Sequence, residues 1–247
     1  ADAEAICEAV TRPSMRFVPI KSAKRQGVMM LHRTRDLLMR QRTMMLNAIR
    51  AHLAEFGIIT AQGPHKLAAL LDTLDEDRLP AIARSALTSL TAQLDSLAAE
   101  IRTLEHQLMV WHRTDETSQR LETIPGVGLM TATALSASIP DPSVFKTGRQ
   151  FAAFLGLVPR QNSSGGKERL GRISKMGDGY LRRLLVVGAT SVIRRVGTNT
   201  SATGEWVRRL LERKPARVAT VAMANKTARI AWAVLVRGET YRAPTMV

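Results

Sequence analysis

From Lys21 to Phe56 apolar residues return at helical spacings. Val28, Leu31, Leu38, Met45, Ile49 and Leu53 carry the pattern, Gly27 is the only glycine, and proline is absent. This predicts one long amphipathic helix, ended by Gly57 and the Gly63-Pro64 pair. A more regular series follows in Leu87, Leu90, Leu94, Leu97, Ile101, Leu104, Leu108 and Trp111, separated alternately by three and four residues. Such alternation keeps a narrow apolar seam on one side of a supercoiled helix. Either the first helix of the same chain or a second copy would cover that seam, and both can hold at once.

After Arg120 the pattern breaks into shorter helices punctuated by glycine and proline. Leu129–Ile139 reads as one. Residues 144–156 put Phe151, Phe154 and Leu155 on a common face, and helices are expected over 178–196 and 203–213. Residues 217–237 form the last, with Val221, Ala224, Ala228, Ala231 and Leu235 on its apolar side. Only the stretch near Val158–Arg172 reads as extended. The expected class is all-α: a long helical coiled-coil hairpin, then a small helical domain. Boundaries are drawn at 1–20, 21–113 and 114–247.

Charge adds a partner to this outline. The chain of 247 residues carries a formal charge of +15, and residues 146–242 alone hold 20 Lys and Arg against five acids. Arginine dominates there, and its planar fork matches phosphate geometry. A polyanion is the expected partner, and nucleic acid the natural one. The first long helix is basic as well, with only Asp36 set against its lysines and arginines between residues 20 and 50. The second carries Asp95, Glu100 and Glu105, which suits assembly better than phosphate binding. Cys7 is the only cysteine, so neither an internal disulfide nor a cysteine-built zinc site is expected. No apolar run approaches the ~18 residues that span a bilayer. The start, Ala1-Asp2-Ala3-Glu4-Ala5-Ile6, reads like the middle of an amphipathic helix, so the chain is expected to be truncated there.

Two segments carry candidate chemistry. Ile124-Pro125-Gly126-Val127-Gly128 between helices has the form of a helix-hairpin-helix turn. Gly126 and Gly128 permit positive φ and close approach, and free amides opening the next helix would face a phosphate. A plain helix-connecting turn has the same composition. The second segment is Ser163-Ser164-Gly165-Gly166, with Arg160, Lys167, Arg169, Arg172 and Lys175 around it. Cations beside an open serine hydroxyl favour its alkoxide and stabilise charge on a phosphoryl group under attack. A flexible phosphate-binding loop without a covalent role fits the same residues.

The order of these motifs resembles the Piv-type insertion-sequence transposases. The resemblance rests on the Pro125-Gly126-Val127-Gly128 hairpin and the run Gln150-Phe151-Ala152-Ala153-Phe154-Leu155-Gly156-Leu157-Val158-Pro159. Ser164-Gly165, Ser174-Lys175-Met176-Gly177, Leu181-Arg182-Arg183, Ala224-Asn225-Lys226 and Trp232 follow in order. It implies a DNA recombinase of a mobile element, acting through a serine-linked intermediate and guided by a structured RNA. Ser164 matches the nucleophile, Arg182 and Arg183 join the nucleic-acid contacts, and Ser174 is read as a helix cap or phosphate contact. A ribonuclease-H-like domain with four acids holding magnesium would precede. Its last acid matches Asp2 of Asp2-Ala3, making residues 1–20 a remnant, and the other three have no counterpart. The fragment alone is then expected to be inactive and metal-free. The resemblance further implies a prokaryotic cytoplasmic protein associated with the nucleoid, forming homo-oligomers through the coiled coil. The alternative is a non-catalytic nucleic-acid-binding protein that oligomerises and inhibits the full-length enzyme.

Overall fold

The computed structural model describes residues 2–13, 15, 19–74, 78–198 and 201–243. Helices dominate, and the only strands among the described residues are two short ones, so the fold is mostly α. The chain divides into a unit of residues 29–110 and a unit made of residues 1–28 and 111–247. The first helix, α1 (Asp2–Thr11), buries no residue. No described helix is long and apolar enough to cross a membrane.

Within residues 29–110, α2 (Ala23–Glu55) and α4 (Ala81–Thr114) supply most of the length, with α3 (Pro64–Asp72) between them in sequence. The expected long helix is present as α2, and it buries Ile49 and Leu53 together with Leu46. Leu87, Leu90 and Leu94 of α4 pack against the cluster of Leu46, Ile49, Leu53, Ile58, Leu67 and Leu79. Toward the other end, Arg35 Nε donates to Glu105 Oε1 at 2.8 Å. The pairing of 35 with 105 and of 46–53 with 87–94 makes the two helices antiparallel. The leucine seam is therefore occupied within the chain. What α2 leaves exposed is a different stripe, Met30, Leu37 and Met44, at seven-residue spacing.

His32 is fully buried, a position that helical spacing of aliphatic residues did not single out. Burial, reinforced by the Arg35 charge, lowers its pKa to about 4. The folded state thus holds the ring neutral. A lowered histidine pKa contributes stability above about pH 6.5, and that stability is lost as pH falls toward 4, where the unfolded chain has gained a proton. The unfolding free energy from denaturant titrations should drop over that range by as much as about 3 kcal/mol, and His32→Gln should flatten the drop. An identical pH slope in wild type and His32→Gln would refute the assignment.

The second unit is built around two helices that are buried for different reasons. α6 (Leu129–Ser138) buries every residue from Thr131 to Ser138, as a helix enclosed on all sides must. α10 (Ala216–Arg237) presents Ala219, Ala224, Ala228 and Ala231, all buried. These small side chains let other helices approach closely. α5 (Glu116–Glu122) precedes α6, and α7 (Gly148–Phe154), α8 (Gly179–Arg194) and α9 (Ala202–Leu211) complete the unit. Phe151 and Leu155 are buried as expected, whereas Phe154 is 38% exposed and leans on Phe145 with ring centroids 5.0 Å apart. Trp232 Nε1 donates to Phe145 O at 3.1 Å, tying α10 to the same aromatic group.

Candidate functional site

The stretch expected to be extended forms a β-hairpin. β1 (Pro159–Gln161) and β2 (Leu170–Ile173) run antiparallel, with Pro159 opposite Ile173, Gln161 opposite Leu170 and an irregularity between. Its base is fastened to the helical unit through backbone. Ser174 N donates to Val158 O at 2.8 Å, and Lys175 N to Gly156 O at 3.1 Å. Asn225 Nδ2 on α10 donates to Leu157 O at 3.1 Å. The segment after β2 lies directly on the end of α7. A Cβ on Gly156 (φ 69°) would stand 2.1 Å from Met176 O, and one on Gly177 (φ 84°) 1.9 Å from Phe154 O. Both glycines are therefore required by contact as well as by conformation.

Two expected roles change at this base. Ser174 does not cap α8: Asp178 does, accepting from Tyr180 N and Leu181 N at 2.8 and 3.0 Å. Ser174 Oγ instead lies 3.4 Å from Met176 N, whose amide donates to it. Arg182 acts as an internal strut, donating from Nη1 to Leu155 O at 3.0 Å and Met176 O at 3.3 Å. Its neighbour Arg183 is exposed, with the guanidinium 5.3 Å from the Tyr180 ring centre.

At the tip, Ser164 O accepts from Lys167 N at 3.1 Å, and Gly165 and Gly166 take φ of 56° and 76°. Two successive positive φ values make a type I′ turn, the kind that matches strand twist in a tight hairpin. The glycine pair thus has a conformational duty, and it exposes Ser164. The two serines differ. Ser163 Oγ accepts from Arg169 N at 3.0 Å and lies 3.4 Å from Gln161 Nε2, so it braces the hairpin. Ser164 is exposed, and its hydroxyl has no hydrogen-bond partner among the described residues.

The cations are strung along the hairpin and do not ring the tip. Lys167 is paired with Ser164 across the turn. Arg160 stands four residues from Ser164, roughly 13 Å along an extended strand, and donates back to Ser174 O at 3.4 Å. Arg172 is in β2 near the base, and Lys175 follows it at a left-handed φ of 56°. Arg169 sits between tip and base, and Glu168 is the only acid from 159 to 173. The result is an exposed cationic ribbon with an unengaged hydroxyl at its end, suited to lying along a phosphate backbone.

The Pro-Gly-x-Gly segment joins α5 to α6, with Gly128 as the residue before the first helical turn. Its glycines have unequal duties. A Cβ on Gly126 (φ 84°) would meet Gly188 O at 2.9 Å and Val192 Cγ2 at 2.8 Å, and one on Gly188 would meet Gly126 O at 1.9 Å. Gly126 is thus pressed against α8, whereas Gly128 is exposed with nothing within 4 Å of an added carbon. Gly126→Ala should accordingly cost about 2–4 kcal/mol through strain and overpacking. Gly128→Ala should leave stability within about 1 kcal/mol and weaken nucleic-acid binding alike for all sequences. Full affinity in Gly128→Ala, checked by titration, would remove the phosphate role from this turn.

Other polar groups in this unit were not anticipated. His112 Nδ1 lies 2.7 Å from Ser118 Oγ and Nε2 lies 2.9 Å from Glu122 Oε2. Although serine, histidine and carboxylate are in series, Ser118 is fully buried, so the group ties α4 to α5 and cannot meet a substrate. Asp115 Oδ1 caps α5 through Ser118 N at 2.6 Å and also accepts from Ser136 Oγ at 2.8 Å, locking α5 to α6. Asp2 stands in the first turn of α1, which buries no residue, and no group of three His, Cys, Asp or Glu able to hold a metal occurs among the described residues. The described residues do not build a magnesium site.

Comparison with known proteins extends this picture. The pattern described as "Transposase IS116/IS110/IS902 family" matches residues 118–205, which include the α5–α6 turn, the hairpin and α8. A probable family 20 transposase of Pseudomonas aeruginosa is 50% identical over 245 residues, covering 98% of this chain and 72% of the relative. A putative transposase of Sinorhizobium fredii is 48% identical over 244 residues, covering 98% and 63%. The transposase for insertion sequence element IS1328 of Yersinia enterocolitica is 42% identical over 240 residues, covering 97% and 72%.

Proposed function

Because the chain belongs to the IS116/IS110/IS902 family of insertion-sequence transposases, we propose that it breaks and rejoins DNA strands with Ser164 as nucleophile. The observation that carries this reading is the contrast at the hairpin tip: Ser163 is engaged in bracing, while Ser164 is exposed opposite Lys167. In the proposed step the Ser164 oxygen bonds to a backbone phosphorus. The bond from that phosphorus to one deoxyribose oxygen breaks, and the deoxyribose leaves as a hydroxyl, taking up the proton that serine gives up. One phosphoester is exchanged for another, so the strand can be rejoined without an energy source. Lys167 offsets charge developing on the phosphoryl oxygens, and the cations toward the base hold flanking phosphates.

The same reading extends to magnesium, a structured guide RNA and self-association, the last suited to the exposed Met30, Leu37 and Met44 stripe of α2. No step is assigned to magnesium, since Asp2 alone cannot supply the several oxygen ligands the ion requires. The test joins this chain to the remaining part of its 50% identical relative and incubates it with the DNA ends of an insertion sequence. Covalent protein–DNA adducts are then sought on a denaturing gel. They should form with Ser164 and vanish in Ser164→Ala. Adducts at the wild-type level in Ser164→Ala would overturn the assignment, and DNA binding without adducts in either form would favour the non-catalytic inhibitor.

A further inference from the structure

Behind the hairpin lies a groove of about 1730 Å³, walled by β2, the start of α7, Trp206 of α9 and one side of α10. This volume exceeds the ~300–1,000 Å³ of small-molecule sites and suits a length of polymer. Its floor is apolar, with Trp206, Val218, Val221, Ile230 and Trp232 among the lining residues. Six cations also line it, namely Arg149, Arg172, Lys175, Arg217, Lys226 and Arg229, and no acid does. None of the six forms an ion pair among the described residues. Lys226 lies over Trp206 with Nζ 4.3 Å from the ring centre, and burial lowers its pKa. A partly desolvated ammonium on an aromatic face, without a carboxylate, is a place for an incoming phosphate.

We infer that this groove holds unpaired nucleotides of a single DNA strand, their bases against the tryptophan-lined floor and their phosphates on the six cations. The inference rests on the DNA-acting function proposed above. A duplex turns its phosphates outward and keeps its base faces hidden, so it would leave an apolar floor uncovered. An unpaired strand presents both a π-face and a charge at every nucleotide, the combination that stacking platforms in cationic grooves recognise. An apolar helix from a protein would leave six cations unpaired. The strand is assigned as DNA because β2, one wall of the groove, continues from the hairpin whose tip carries Ser164. A strand held at Ser164 would have this groove beside it.

The test measures binding of a labelled oligothymidylate, an oligouridylate of equal length and a blunt duplex to the full chain. Val218 is 50% exposed, so Val218→Glu sets a negative charge on the wall without opening the core. It should weaken oligothymidylate by about tenfold or more, since stacked bases are worth a factor of that order, and change duplex affinity by less than about twofold. Arg217→Ala with Arg229→Ala is an independent arm. Each lost phosphate contact should flatten the log–log salt dependence of single-strand binding by roughly 0.7. Tryptophan emission should be quenched by the strand, more than by the duplex. Unchanged single-strand affinity and salt slope in both variants would overturn the groove assignment while leaving the transposase reading intact. A tenfold preference for oligouridylate, or loss of self-association in Val218→Glu with strand binding unaffected, would also overturn it, pointing to RNA or to protein. Failure to bind any of the three nucleic acids would overturn the underlying DNA reading too.

Discussion

Ser164→Ala should lower strand exchange by about a thousandfold or more, the scale on which removing a nucleophile acts, with little effect on stability or DNA affinity. The separation is expected because Ser164 gives the fold only its backbone. Its carbonyl accepts from Lys167 N, a bond alanine keeps, while its hydroxyl has no partner among the described residues. An exposed change of that kind falls within about 0.5 kcal/mol. Ser163→Ala should behave in the opposite way. It removes the acceptor for Arg169 N, worth about 1 kcal/mol, so the hairpin loosens and activity declines modestly. The comparison is made on paired variants, with unfolding followed by circular dichroism and exchange by product formation. Equal loss of exchange in both variants would mean that hairpin shape, and no particular hydroxyl, sets the rate.

Gly177→Ala should destabilise the helical unit by about 3–5 kcal/mol, combining a left-handed residue with a forced backbone contact. The methyl carbon would start 1.9 Å from Phe154 O, and a carbonyl cannot swing aside as a flexible side chain can. To admit it, the Ser174–Gly177 segment must lift from α7, breaking the Lys175 N to Gly156 O bond and withdrawing Met176 O from Arg182. Gly238→Ala provides the comparison. Gly238 also has positive φ, at 68°, but an added carbon there meets nothing within 4 Å, so about 1 kcal/mol is expected. Denaturant midpoints measure the difference. Equal losses at the two sites would show conformational preference alone, and the contact account would fall.

Much of the helical outline was legible because periodicity reports burial directly. Both long helices and the ends of α10 follow from spacing, and Leu97, Ile101 and Leu108 are buried as the alternation requires. The partner of the seam was not legible, since a leucine row reads the same against α2 as against another copy. The hairpin tip was readable from Ser164-Gly165-Gly166 as an open loop. Its brace was hidden, because Ser163 and Ser164 differ only in which one faces the Arg169 amide. Contacts between glycines distant in sequence were equally hidden, although Gly188 inside a helix was a signal: it costs helix stability and marks close approach. The groove needed the fold itself. Trp206 and Lys226 lie on separate helices, and no spacing rule brings an ammonium onto an indole 20 positions away.

The placing of Ser164 at the end of a short two-stranded arm, with the arm's base pinned to α7 and α10, gives the chain a ruler. Strand length translates into reach at ~3.3 Å per residue. Two residues added to each strand would preserve which face every side chain occupies and carry the hydroxyl outward by roughly 7 Å. Successive nucleotides of a duplex strand rise by about 3.4 Å along the helix axis. With Ser164 attacking as proposed, the point of attack on DNA is then expected to move by about two nucleotides while the residues proposed to grip the flanking backbone stay where they are. Under the proposed mechanism the cutting register is an insertion or deletion away from change, with the chemistry of the attacking group left untouched.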